Sequence, residues 1–229
     1  MITLYTAVGR FEQRSDGHGN KYPVIIINQQ EYQVTIPEML CWTCLSWHIA
    51  DMYQIRLLYE YKTKVIDDFI YGFNAAYVER LEQRGLIVSG KGGTANEARY
   101  NLLKSLFVIP VTSSFFMKTT AFLKFVLKDH APLHKAKAVF RKERLCPGEK
   151  RILDLAKQTM LTVSELIMCV EIDVFDLPSE DSVMDALYDD EDTTNVTIAE
   201  DAAWCKQQRA VLNIVSTLYL RRLIIFGRI

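Results

Sequence analysis

Between Lys64 and Arg84 the apolar side chains Ile66, Ile70, Phe73, Tyr77 and Leu81 recur at spacings of three and four, which predicts one buried face of a helix. Gly85 follows, in the position where a left-handed cap favours glycine. Leu86-Ile-Val88 then reads as a short strand and Ser89-Gly-Lys-Gly-Gly93 as a turn. The pattern returns near the C-terminus. Leu218, Arg221, Leu223, Ile224, Ile225 and Gly227 stand 137 residues after Leu81, Arg84, Leu86, Ile87, Val88 and Gly90. A helix feeding directly into a strand is therefore expected twice, over 66–90 and 205–227, each strand pairing within its own domain.

The N-terminal pattern is different. Residues 3–14 alternate weakly, 15–20 form a turn cluster, 22–28 are β-branched, and 31–36 alternate again. Three antiparallel strands are expected. Pro37 and Glu38 suit the first turn of a helix, read as reaching Ile49 or beyond, and 53–61 are read as helical. Thr94 is an N-cap for a helix to about Leu106, with 107–111 extended. Residues 113–128 carry Phe115, Phe116, Phe122, Leu123, Phe125, Val126 and Leu127, too many apolar faces for a surface helix. This segment predicts an inter-domain contact or a homodimer through its phenylalanines. Residues 147–158 read as a helix, Thr162-Val-Ser-Glu165 as a capping box, and 198–222 as one helix with Trp204, Val211, Ile214, Val215 and Leu218 inward.

A helix ending in Leu-x-x-Arg-x-Leu-Ile resembles the last helix and first wing strand of winged-helix domains, and Gly148-Glu-Lys-Arg-Ile-Leu-Asp-Leu-Ala156 followed by Leu161-Thr-Val-Ser-Glu-Leu166 is similar to the first two helices of helix-turn-helix proteins. The resemblance covers residues 37–93 and 147–229. It implies an α+β, mainly α chain of two winged-helix-like domains: 1–128 with the antiparallel β-meander and the apolar connecting helix, a basic linker 129–146, and 147–229 with an acidic insertion. A β-meander ahead of winged-helix elements also resembles the leader-peptide-binding domains of peptide-modifying systems.

Composition sharpens this in one respect. A net charge of −1 hides a division: ten basic against three acidic residues lie between Lys118 and Arg151, whereas 158–205 hold no Lys or Arg and thirteen acids run from Glu165 to Asp201. The two blocks can attract each other or face different partners. No basic stretch or cleavable apolar run follows Met1, and the longest apolar region contains Pro110, Lys118 and Lys124, so a cytoplasmic chain with no membrane span is expected. The five cysteines are then thiols.

Cys41, Cys44 and His48 share one helix face, but no fourth zinc ligand completes the set, and Leu45 and Met52 on that face favour a packed core stripe. The glycines of 89–94 lack phosphate-loop spacing, leaving Lys91 at a wing tip as a phosphate contact. Asp189-Asp-Glu-Asp192 lacks the ligand spacing of a calcium loop and is read as solvated. No catalytic grouping assembles from these residues, so a non-enzymatic chain without cofactor or metal is expected. For double-stranded DNA the first candidate reading helix is mixed in charge, with Glu79 and Glu82 beside Arg80 and Arg84. The second presents Lys206, Gln207, Gln208, Arg209 and Asn213, with Lys135, Lys137, Arg141, Lys142 and Arg144 as phosphate contacts. Two functional readings follow: a DNA-binding transcriptional regulator, or a peptide- or protein-binding adaptor or assembly subunit that uses the N-terminal sheet edge.

Overall fold

The computed structural model describes residues 1–64, 72–111, 144–177, 179–190 and 192–228. Among them are nine α-helices and seven strands in three small sheets, an α+β architecture. The Phe-rich segment 113–128, with Phe115, Phe116, Phe122 and Phe125, lies outside the described residues, as do Lys135, Lys137, Arg141 and Lys142. No helix among the described residues is long and apolar enough to cross a membrane.

The N-terminal alternation is split in two. Strand β1 (Ile2–Ala7) and strand β2 (Arg10–Ser15) part at Gly9, whose φ of +83° suits glycine and where a Cβ would strike the carbonyl of Ile26. β2 joins β3 (Lys21–Ile27) and β4 (Gln30–Gln33) in the expected antiparallel meander. β1 leaves it to pair with β5 (Ile87–Gly92).

Helix α1 (Ile36–Leu45) starts on a capping box in which Thr35 and Glu38 satisfy each other's backbone amides. It ends at Leu45, short of the expected Ile49, because Trp47 takes a left-handed φ of +69° and turns the chain toward Ala50. α2 (Met52–Lys64) follows. The predicted continuous helix 64–84 is interrupted: Asn74 is an N-cap, and α3 covers only Ala75–Gln83. Such a side chain accepts an end amide that a continuing helix would have bonded itself. Ser89–Gly93, expected as a turn, is strand up to Gly92, and at Gly90 a Cβ would overlap backbone atoms of Ala98 and Leu102. Those two residues lie on α4 (Ala95–Leu103), capped by Thr94 as expected but ending three residues short of Leu106.

The C-terminal elements are β6 (Phe107–Pro110), α5 (Pro147–Gln158), α6 (Val163–Glu171), a 3-10 turn (Val174–Asp176), α7 (Glu180–Leu187), α8 (Asn195–Ala202), α9 (Gln208–Leu220) and β7 (Ile224–Gly227). α5 and the Thr162–Glu165 capping box match expectation. The single helix 198–222 does not: α8 packs on α6 while α9 packs on α5 and α6, and the chain turns between them. Trp204 sits in that turn, 89% exposed rather than inward. Asp189 and Asp190 are exposed, in a segment that holds α7 and α8 on either side.

Both helix-into-strand units exist, and they share more than their sequence. In each the last helix closes with the same two bonds: Gly85 N–H to Glu82 O and Leu86 N–H to Leu81 O, both 2.9 Å, against Arg222 N–H to Tyr219 O and Leu223 N–H to Leu218 O, both 2.9 Å. The left-handed residue is Gly85 in one and Arg222 (φ +60°) in the other. In each, a residue between the first two helices bridges the strand pair, Ala50 to Tyr5 of β1 and Thr162 to Phe107 of β6. β7 pairs with β6 rather than with a strand of 147–229, so residues 107–110 stand to the second unit as β1 stands to the first.

A third likeness is electrostatic. Glu38 and Glu149 are each the third residue of a capped first helix, 5% and 7% exposed, and each receives an arginine from the end of the last helix. Arg80 Nε donates to Glu38 Oε1 at 3.0 Å and Arg84 stands 3.8 Å from Oε2; Arg221 Nη1 donates to Glu149 Oε2 at 2.8 Å. The same arginines reach the carbonyl two residues before the cap, Arg84 to Gln33 at 2.6 Å and Arg221 to Arg144 at 3.2 Å. The repeat is thus a folding unit whose first helix is clamped to its last.

One continuous apolar core joins the two halves. Tyr219 of α9 sits in the seam, its ring against Trp47 and Phe226 and its hydroxyl 3.1 Å from Leu45 O and 3.2 Å from Thr6 Oγ1. Burial pushes the phenol up to about 12. Tyr219→Phe keeps the packing and removes the hydroxyl, so it is expected to cost ~0.5–1.5 kcal/mol through the lost hydrogen bonds to Leu45 O and Thr6 Oγ1, the Leu45 carbonyl keeping the His48 amide at 3.0 Å. Urea denaturation checks this; an unchanged midpoint would show that the hydroxyl contributes nothing to the seam.

Candidate nucleic-acid interface

The two last helices, α3 and α9, are the natural candidates for reading a groove, and their outward faces differ in what the clamps leave over. In α3, Arg80 and Arg84 turn to Glu38, and Glu79 is exposed while Glu82 accepts a hydrogen bond from Ser89 Oγ. The carboxylates are what remains for a partner. A duplex repels that face.

In α9 the clamp takes Arg221 at the far end, and the sequence from Gln208 to Leu220 contains no Asp or Glu. Its buried stripe is Val211, Leu212, Val215, Leu218 and Tyr219, which leaves Arg209, Ala210, Asn213, Thr217 and Leu220 outward at helical spacing. Lys206 and Gln207 precede the helix in the turn, both exposed, with Gln207 at the cap position. Gln208 is turned inward, donating to Ala203 O at 2.9 Å and accepting from Asn96 at 3.1 Å.

Sequence reasoning missed Arg99. It lies on α4, far away in the chain, and donates from Nη1 to Asn213 Oδ1 at 3.0 Å. Arg99 therefore stands beside Asn213, with Arg209 four residues before it on the same helix and Lys206 in the turn that leads in, and none of the three has an ion pair among the described residues. Only the packing of α4 on α9 makes the association, so periodicity within either helix gives no sign of it. Trp204, two residues before Lys206, adds an exposed aromatic ring to the same turn.

The other expected contacts are dispersed. Lys91 lies within β5 opposite Thr3, not at a turn tip, and its side chain is exposed. Arg144 is exposed ahead of α5 and lends its carbonyl to Arg221. Lys135, Lys137, Arg141 and Lys142 fall outside the described residues. The acidic segment comes close to the turn: Glu171 and Asp201, with burial as the larger cause, raise the Cys205 thiol above its ordinary value.

The thiol–imidazole face dissolves for a geometric reason. Cys41 and Cys44 are buried in α1, their thiols pushed up to about 12 and about 11 by desolvation, whereas His48 lies beyond the end of the helix and is exposed, not buried as expected. Among the described residues no group of His, Cys, Asp and Glu has a metal-binding arrangement. No family model matches the chain, and neither curated proteins nor solved structures match it.

Proposed function

We propose that the chain is a non-enzymatic DNA-binding regulator made of two winged-helix-like units, with α9 as the helix that enters the major groove. The observation that carries the reading is the carboxylate-free outward stripe of α9, where Asn213 meets Arg99 of α4, with Arg209 one turn before Asn213 and Lys206 exposed in the preceding turn. Arg and Asn are the types that pair bidentately with guanine and adenine edges, and the flanking cations suit phosphates. The repeated order of strand, helix, bridge, helix, last helix and strand supports the winged-helix likeness, with one departure. In both units the partner of the last strand precedes the helices instead of following as the second strand of a wing. The first unit, its arginines held by Glu38, acts as scaffold. The Phe-rich segment 113–128 joins two copies, placing two α9 helices on one duplex.

The test is selection of the full chain on a random duplex pool, followed by Arg209→Ala. The variant is expected to lose ~1–3 kcal/mol of affinity for the selected site, concentrated at one base position, with little change on unselected duplex. Uniform weakening across sequences would make Arg209 a phosphate contact only, and absence of any enriched sequence would remove the regulator.

A further inference from the structure

We propose that the cleft between the β3–β4 turn and the end of α3 binds a phosphate dianion, free or as a phosphomonoester group, at a place separate from the α9 face and independent of the DNA reading. The cleft holds ≈ 260 Å³, and three stretches of the chain line it: Asn28, Gln30 and Tyr32 of the hairpin, Gln83 and Arg84 at the end of α3, and Arg228 after β7. Two guanidiniums line it, and no carboxylate does among the described residues. The surplus is not cancelled nearby. Glu38 is shared between Arg80 Nε at 3.0 Å and Arg84 Nη1 at 3.8 Å, so those three side chains sum to one positive charge. Arg228 adds a second, because its side chain has no hydrogen bond or ion pair among the described residues. Glu82 and Glu200 share the larger neighbouring groove with Arg228 without pairing to it.

Both cations are held in place. Arg84 Nη2 donates to Gln33 O at 2.6 Å, which fixes that guanidinium on the cleft wall. The Arg228 carbonyl accepts from Asn28 Nδ2 at 2.5 Å, and its guanidinium lies on Gly85, where a Cβ would stand 2.5 Å from Nη1. Holding two cations on one acid-free cleft costs Coulomb energy that a bound anion offsets. The negative end of the α3 dipole opposes an anion here. That opposition is reduced because the Glu82 and Leu81 carbonyls already accept from the Gly85 and Leu86 amides.

Size, charge and donors select the ligand. A cleft of ≈ 260 Å³ is smaller than the about 300–1,000 Å³ usual for organic ligands, so it takes a small ion or the charged end of a larger molecule. Two uncompensated positive charges match a dianion better than a carboxylate or a phosphodiester, each of which carries one negative charge. Guanidiniums from two separate segments also suit the several oxygens of phosphate, which arginine bonds bidentately. Tyr32 Oη donates to Gln30 Oε1 at 2.8 Å, which leaves the Gln30 Nε2 donor as the free end of that amide.

Calorimetric titration of the full chain with inorganic phosphate at low ionic strength reads the site, with Arg228→Gln, Arg84→Gln and the combination of Arg99→Ala, Lys206→Ala and Arg209→Ala run beside it. Arg228→Gln and Arg84→Gln are each expected to weaken phosphate at least about tenfold, while the combination on the α9 face binds it as wild type does. Sulfate should displace phosphate, and acetate at equal concentration should not. Arg228 is exposed and its side chain makes no bond among the described residues, so Arg228→Gln without phosphate should melt with the wild type, which separates lost binding from lost folding. The proposal is overturned if phosphate does not bind, if Arg228→Gln binds it as wild type does, if acetate competes as well as sulfate, or if binding is lost with the α9-face cations instead.

Discussion

Arg221→Ala is expected to destabilise the chain by ~2–4 kcal/mol, and Arg84→Ala by less than about 1 kcal/mol, although the two arginines occupy the same place in the repeat. The asymmetry follows from what each leaves behind. Among the described residues Glu149 has one guanidinium, at 2.8 Å, and is 7% exposed; without it, the buried carboxylate keeps only Cys146, amide and side chain, among those residues. Removing one partner of a buried pair strands the other, and the cost here sits near the low end of such cases because the Arg221 side chain is 29% exposed. Glu38 keeps Arg80 at 3.0 Å when Arg84 is removed, and Arg84 was 3.8 Å away to begin with.

The same pairs set an acid limit. The Cys146 amide and then Arg221 hold the Glu149 carboxyl below its ordinary value against burial; burial pushes Glu38 up, but the Thr35 amide and Arg80 outweigh it and leave it lowered. A carboxyl lowered by folding contributes stability that is present above its unfolded pKa, about 4.3, and lost as pH falls through the folded value. Stability should therefore decline from about pH 5 downward, and Glu149→Gln should flatten that decline while lowering stability at pH 7. Chemical denaturation of the three variants across pH 3–7 checks both statements; Arg84→Ala costing as much as Arg221→Ala would mean that the clamps are not what the geometry makes them.

Much of the local structure was legible because local chemistry fixes it. Thr94 and Thr162 cap helices as their sequences predict, Gly85 takes the left-handed cap, and the echo between Leu81–Gly90 and Leu218–Gly227 reports a real repetition of cap geometry. What was not legible was set by tertiary contact. The apolar period runs unbroken from Ile198 to Leu218, yet α8 and α9 pack on different neighbours and the chain must turn at Trp204. Ser89–Gly92 has the composition of a turn, but Gly90 and Gly92 are glycines because α4 lies against β5. The Cys146 cap had no sequence signature, since thiols seldom serve as caps; Cys146 Sγ nevertheless accepts from Glu149 N–H at 3.4 Å. Of the candidate interface, the α9 residues were readable from one helix, whereas Arg99 required knowing that α4 packs beside it.

The central claim is that cations gathered on one face, from α9, the turn before it and α4, hold a duplex. Combining Arg99→Ala, Lys206→Ala and Arg209→Ala changes two exposed side chains and the half-buried Arg99, whose one hydrogen bond is to the exposed Asn213, so the fold should persist. Arg99 and Lys206 are the expected phosphate contacts and Arg209 the base contact; each cation that no longer meets a phosphate lowers the slope of log K against log salt by about 0.9, so a drop of about 2 is expected, together with roughly hundredfold weaker binding near 0.1 M salt. Glu79→Gln on α3 serves as the comparison and should leave the slope unchanged, because it removes no cation and α3 has no part in the proposed contact. The decisive measurement is a fluorescence anisotropy titration of a labelled duplex from 50 to about 200 mM salt with the full chain, the triple variant and Glu79→Gln. A slope that falls only in the triple variant is the predicted result. A triple variant with the wild-type slope, or a wild-type chain that does not bind at about 50 mM salt, would contradict it.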